Sequence, residues 1–163
     1  SYDGSSVGIM QINKINAGIA NSVCMSGQTT YDRECNIKVG LEILKRYYTQ
    51  YKDGIKPEKL AKYCSPNDQP QRYNQYASYR GFDAALRAYN GLSCSSIVDS
   101  KCRTACRNAK DTDTCTNNCI SATINYVEKI KNIAALIESG QIITPTIQEI
   151  EETPKTEEGG LYI

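Results

Sequence analysis

The chain has 163 residues, 19 Lys and Arg against 18 Asp and Glu, a net charge of +1 and no His. One domain of this length, with at most a small appendage, buries roughly 68–70% of its unfolded surface. The near-neutral balance excludes a nucleic-acid binder built on a concentrated basic face, and the longest apolar run, residues 133–137, falls far short of the ~20 residues of a membrane-spanning helix.

The lack of His also excludes Ser-His and Cys-His catalysis and every His-containing metal site, so acid–base chemistry falls to Asp, Glu, Tyr or Lys. The first 13 residues, SYDGSSVGIMQIN, open with turn chemistry in Asp3, Gly4, Ser5 and Ser6. Residues 14–31 look irregular and contain the first cysteine, Cys24. Residues 36–51 carry the clearest helical signal. Ile37, Leu41, Leu44, Tyr48 and Tyr51 recur at steps of four and three as one apolar stripe, the face such a helix normally buries. Asp32 is the candidate N-cap and Asp53-Gly54 the stop.

Residues 57–63 read as a short helix with Pro57 at its first position, and residues 64–71 as a Pro- and Asn-containing loop. Residues 81–90 read as another helix, with Phe82, Ala85, Leu86 and Tyr89 on one face. Residues 120–139 form the last long helix, with Ile120, Ile124, Val127, Ile130, Ala134 and Ile137 on its buried side, closed by Gly140 and blocked by Pro145. Residues 141–163, rich in Thr, Glu and Pro, read as a disordered tail. No alternating pattern is strong enough for a sheet, so the fold class is mainly α.

Eight cysteines in a chain without His read as disulfides formed in an oxidising compartment, with an all-cysteine zinc site as the alternative. Residues 102–119 contain two C-x-x-x-C units eight residues apart. A spacing of four puts both cysteines of a unit on one helical face, and the polar stretch between the units makes a turn. Two antiparallel helical segments then pair by nesting, Cys106 with Cys115 and Cys102 with Cys119. The unit resembles the disulfide-stapled α-hairpins of small secreted peptides, and is either a binding hairpin or a stabilised insertion. Sequence proximity pairs Cys24 with Cys35 and Cys64 with Cys94. Twelve Tyr, one Phe and no Trp suit half-buried positions; a sugar-binding groove and ordinary core-edge filling both use tyrosine in that way.

Four segments carry a resemblance in their order and separation: GIMQIN at 8–13, NIKVGLEILKRYY at 36–48, ALRAYNG at 85–91 and NYVEKI at 125–130. Together they resemble the SLT-type lytic transglycosylases of the lysozyme superfamily, including the goose-type lysozymes, over residues 1–91 and 120–135. The resemblance implies a lysozyme-like helical domain with a disulfide-stapled α-hairpin insertion. It also implies a cleft for peptidoglycan and cleavage between N-acetylmuramic acid and N-acetylglucosamine. The family uses one Glu as general acid, then as the base that lets the muramoyl 6-hydroxyl close an anhydro ring; such a carboxyl needs a raised pKa.

That Glu opens a Glu-Ser motif more than a dozen residues before the Met-Gln pair, and here it would fall before Ser1. No Glu precedes Glu34, which stands at the wrong place in the pattern. With no signal peptide and no initiator Met in view, the chain is expected to be a processed or truncated piece of an exported, secreted or cell-surface protein, or a degenerate relative. The expected organisation is a domain over residues 1–140 lacking its N-terminal catalytic helix, with the insertion at 92–119 and the tail at 141–163.

The resemblance assigns further roles one by one. Ser1 corresponds to a family Ser near the catalytic carboxyl and Gln11 to a cleft Gln that contacts sugar. Tyr89 corresponds to the Tyr whose hydroxyl approaches the catalytic Glu; Asn90 follows it, and Tyr126 corresponds to a late cleft Tyr. A Glu often found just before that Tyr is replaced at about Ala122. Asp3 falls where goose-type lysozymes place an Asp that positions water, which would permit inverting hydrolysis, or it is a turn residue. Asn13 stands where the goose type can carry another Asp, which favours transglycosylation. Gln11 and Asn90 as helix caps and Tyr89 as a core residue are the structural alternatives. No cofactor, metal or nucleic acid is implied, and the oligomeric state stays open. A non-catalytic wall-binding relative is the main rival reading.

Overall fold

The computed structural model describes residues 6–94 and 96–140. A two-stranded antiparallel hairpin, β1 (Ser6–Val7) and β2 (Ile12–Asn13), pairs Ser6 with Asn13 and Val7 with Ile12. The Asn13 side chain then accepts from the Ile15 amide and caps a 3₁₀ turn, Lys14–Ile19, which runs into the short α1 (Ala20–Val23). The stretch read as irregular is therefore largely helical in short pieces.

The long helix α2 (Arg33–Tyr51) begins at Asp32. Asp32 occupies the cap position, but its carboxylate turns back to accept from the Thr29 amide at 2.7 Å instead of capping the helix. After α2 come α3 (Pro57–Ala61), with proline in its first turn as expected, α4 (Pro70–Ser78) and α5 (Gly81–Asn90). The sequence reading contained no α4. Its apolar content is mostly tyrosine and its remaining residues are polar, so it has no aliphatic stripe to announce it.

The expected buried stripe of α2 holds at Tyr51 and is otherwise out of phase with the one that forms. Cys35, Asn36, Val39, Gly40, Ile43 and Tyr51 are buried, whereas Leu41 is 55% exposed and Tyr48 also faces outward. On α5 the inward side is Ala84, Ala85, Arg87 and Ala88, and Phe82 is 60% exposed, its ring 4.8 Å from that of Tyr48. Helix pairing explains both results. Where α5 crosses α2, small residues let the two backbones approach, so the larger apolar side chains end up on the outer flanks.

Two apolar clusters sit along α2. One gathers Ile12, Ala20, Cys35, Val39 and Ile43 beneath the hairpin. The other gathers Tyr51, Ile55, Leu60, Cys64, Tyr76, Tyr79, Ala84, Ala88, Leu92, Cys94 and Val127. Tyr47 packs against both. Each cluster holds cysteines of one disulfide, Cys24–Cys35 in the first and Cys64–Cys94 in the second.

Beyond Cys94, α6 (Ser96–Cys106) and α7 (Thr112–Ile124) form the stapled hairpin with Cys102–Cys119 outside and Cys106–Cys115 inside. Asp111 caps α7 by accepting from the Thr114 amide at 3.0 Å, and that bond holds its carboxyl below the usual range. With all eight sulfurs paired, none is left for zinc. The fold is thus the mainly helical one expected, with a stapled α-hairpin.

The last helix is not continuous. α7 ends at Ile124, and α8 (Tyr126–Glu138) restarts after Asn125, whose φ of −92° and ψ of 18° leave the helical region. By contacts the chain divides at residues 127 and 128. In the second unit, α8 runs to Glu138, and Gly140 closes it with φ 71° and a bond from its amide to the Ile137 carbonyl. Ala134 and Ile137, expected on a buried side, are exposed. The expected tail, residues 141–163, lies outside the described residues.

Among the described residues no helix is long and apolar enough to cross a membrane. Because α6 and α7 bury few large apolar side chains among the described residues, the staples should carry much of the hairpin's stability. Replacing Cys102 and Cys119 together by Ser is expected to lower the unfolding free energy by about 3 kcal/mol, the chain-entropy value for a loop of this size, measured by chemical denaturation.

Candidate functional site

Two strands of two residues cannot stand alone, so the β1–β2 hairpin must be held from outside. The buried side chain of Asn36 on α2 holds it. Its Oδ1 accepts from the Met10 amide at 2.8 Å, and its Nδ2 donates to the Val7 carbonyl at 3.0 Å and to the Thr30 carbonyl at 2.8 Å. Close approach requires glycine at two points. A Cβ on Gly8 would fall on the Asn36 amide, and one on Gly40 would lie 2.7–2.8 Å from the Met10 side chain.

The grip on Met10 is two-sided. While Asn36 takes its N–H, the Tyr89 hydroxyl of α5 donates to its carbonyl at 2.7 Å. Gln11, the next residue, is forced to φ 50°, a left-handed conformation uncommon for a residue with a side chain. Its backbone N–H and its Nε2 both donate to the Gly8 carbonyl, at 3.1 and 2.8 Å, which stabilises the turn.

These constraints shape a small pocket of about 50 Å³. Three amides (Gln11, Asn13, Asn16), two phenols (Tyr47, Tyr89) and two aliphatic side chains (Ile12, Ile43) line it. It has room for a few waters and is well below the roughly 300–1,000 Å³ of a typical small-molecule site. No carboxylate lines it among the described residues. Tyr89 titrates far above neutrality: burial, then the nearby phenols of Tyr126 and Tyr47, push it up to about 12. Burial also raises Tyr126, against the opposing effect of the Arg87 guanidinium. The pocket therefore offers neutral hydrogen-bonding groups around an aliphatic floor throughout the physiological range.

Of the residues singled out in the sequence, Gln11, Asn13 and Tyr89 meet at this pocket. Asn13 is also the cap of the 3₁₀ turn. Asn90 is half-buried at the end of α5 and is not among the lining residues, and Tyr126 is half-buried at the start of α8, near enough to perturb Tyr89. Ser1 and Asp3 lie outside the described residues. Sequence reasoning missed Asn16, Asn36, Ile43, Tyr47 and Arg87. For the α2 residues a signal existed in Cys35: a disulfide-bonded cysteine must face inward, and stepping by four from it reaches Val39, Ile43 and Tyr47.

A family model described as Transglycosylase SLT domain matches residues 2–93, from the start of the hairpin region to just beyond α5. The stapled hairpin and α8 lie outside the match. No curated protein and no solved structure matches the chain.

Asn36→Ala removes three bonds and leaves two carbonyls and one amide short of their partner. Unfolding should become easier by about 3 kcal/mol, read by urea titration. Because the folded protein favours neutral Tyr89, the stability this contributes is complete below pH 10.0 and is lost as pH rises toward about 12. Tyr89→Phe should flatten the alkaline fall in stability measured over that range. An equally steep fall in the variant would assign it to other groups.

Proposed function

The chain belongs to the transglycosylase SLT domain family, and from that premise we propose that it forms the cleft floor of a peptidoglycan-cleaving lytic transglycosylase. The observation that carries this reading is the convergence of Gln11, Asn13 and Tyr89, from two separated segments, on one pocket braced through Met10. Neutral amides and phenols above an aliphatic floor suit the hydroxyl and acetamido groups of an uncharged sugar ring. Four disulfides support a secreted or cell-surface location.

In the proposed reaction a glutamic acid protonates the oxygen leaving N-acetylmuramic acid C1. The resulting carboxylate then takes the proton of the muramoyl 6-hydroxyl, whose oxygen bonds to C1. One glycosidic bond breaks, one intramolecular ether bond forms, and no water is consumed. Gln11, Asn13 and Asn90 hold the glycan, and Tyr126 extends the same wall. Tyr89, whose one hydroxyl proton goes to the Met10 carbonyl, turns its oxygen toward the acid as an acceptor for the carboxyl proton. The reading also gives Ser1 the role of the family Ser beside that carboxyl.

The reading requires that acid from a helix packed against this cleft. An outward apolar stripe on α2, Leu41 and Tyr48 with Phe82 beside them, suits the packing of such a helix. A pocket too small for a sugar ring fits a cleft with one wall still to be supplied. The neutral amides and phenols that line the pocket among the described residues favour, as the second reading, a relative that binds wall glycan without cleaving it. Asp3 as a water-positioning carboxylate would instead make the assembled site a goose-type hydrolase.

Purified peptidoglycan incubated with the chain alone, and with a Glu-Ser helix of the family supplied ahead of it and the helical fold so restored, separates these readings by mass spectrometry. Anhydro-muramic ends are expected only with the helix restored. Reducing ends would indicate hydrolysis through Asp3, and binding without cleavage by either form would leave the wall binder. Gln11→Ala and Tyr126→Phe should each weaken glycan binding about three- to tenfold, the loss of one hydrogen bond.

A further inference from the structure

Arg87 is the largest fully buried side chain of the described residues; each partner of its Nε and Nη1 is neutral, and its Nη2 is buried without a hydrogen bond. Its Nε donates to the Gly91 carbonyl at 2.8 Å. Its Nη1 donates to the Thr123 carbonyl at 2.8 Å, to the Ile124 carbonyl at 3.4 Å and to the Tyr76 hydroxyl at 3.0 Å. The guanidinium carbon lies 4.6 Å from the centre of the Tyr76 ring. A buried cation is retained only where strong acceptors surround it. The acceptors here share one property: Gly91 directly follows α5, and Thr123 and Ile124 are the last residues of α7. They are carbonyls that a helix end leaves without intrahelical partners, at the negative end of the helix dipole.

We infer that Arg87 is a positioning residue that grips the carboxyl end of α7 and thereby sets Tyr126 beside Tyr89, making the stapled hairpin part of the construction of the site. The chain leaves α7 at Ile124, bends at Asn125 and restarts with Tyr126, so Tyr126 stands two residues past the gripped carbonyls. Arg87 itself stands two residues before Tyr89 on α5. One guanidinium thus connects the two tyrosines through short, stiff segments. Arg87 is not among the residues lining the pocket, so it acts only through others.

The entrance to the hairpin is fixed in a similar way. The Cys64–Cys94 disulfide and a bond from Arg72 Nη1 to the Cys94 carbonyl, at 2.9 Å, anchor the chain just before α6. The insertion is therefore rooted at both ends, with Arg87 at the end nearer the tyrosines. Lysine cannot replace it. An ammonium keeps the charge and has three donors, but they radiate from one nitrogen and do not span the separate positions from which Nε and Nη1 reach the Gly91 and Thr123 carbonyls. The importance of Tyr126 for glycan rests on the function proposed above; its placement by Arg87 does not.

The test uses the whole chain labelled with 3-fluorotyrosine and followed by fluorine NMR, with Tyr126→Phe identifying the Tyr126 resonance and Tyr51→Phe that of Tyr51. In Arg87→Lys and Arg87→Met the Tyr126 resonance should move to the solvent-exposed position while Tyr51, in the same core, keeps its own. Chitotetraose is the binding probe. Arg87→Lys should weaken its binding about fivefold in the wild-type background and add nothing in the Tyr126→Phe background, since both changes remove the same contact. A Tyr126 resonance unmoved in both variants, or additive binding losses, overturns the inference. Collapse of all tyrosine resonances in both variants also overturns it, because Arg87 would then support the core as a whole. If Tyr126 moves as expected but the unmodified chain binds no chitotetraose, the positioning role stands and the glycan reading fails.

Discussion

One buried amide, that of Asn36, joins the loop carrying Gln11 and Asn13 to the helix carrying Tyr47. The loop has only two ladder pairs of its own, too few to fix its shape. Asn36 supplies what the ladder lacks by accepting from Met10 and donating to Val7 and Thr30. With the Met10 N–H taken by Asn36 and its carbonyl by Tyr89, the residue before Gln11 has little freedom to rotate. The unusual backbone of Gln11 follows from that restraint. Gly8 and Gly40 allow the approach, because a methyl group at either would occupy space already filled.

The larger core sets three buried tyrosines among its aliphatic side chains, and this choice has consequences. Tyr51, Tyr76 and Tyr79 are buried together, and a buried hydroxyl needs a partner. Gln75 donates to Tyr79 at 2.9 Å, and Arg87 donates to Tyr76. The phenol-rich core thus makes a place for an arginine inside the protein, and that arginine is then available to hold the ends of α5 and α7. Disulfides complement this arrangement. One reaches each apolar cluster and two staple the hairpin, so the polar insertion does not depend on a core of its own.

The electrostatics of the pocket bear directly on chemistry. Burial and mutual repulsion keep the Tyr89 phenol protonated to about pH 12, so it serves as a donor and not as a base. The amides around it have no proton to give at neutral pH. Binding an uncharged polar ligand is within the reach of such a surface.

Much of this was legible in sequence. The C-x-x-x-C spacing determined the nested hairpin because both cysteines of a unit must share a helical face. The length of α2, its stop near Gly54 and the extent of α5 followed from local periodicity and turn residues. The meeting of Gln11 with Tyr89 came from family resemblance and not from any local pattern. Tertiary structure alone decided which face of α2 turns inward. Two apolar stripes were available, and the crossing with α5 together with the Cys24–Cys35 bond selected the one through Cys35, Val39 and Ile43. The break at Asn125 was likewise invisible, since residues 120–139 keep helical periodicity across it; the Arg87 bonds found there come from 36 and 37 residues earlier in the chain. Periodicity records which residues are able to be buried. The choice among faces, and the place where a helix must end, depend on partners distant in sequence, which no local pattern contains.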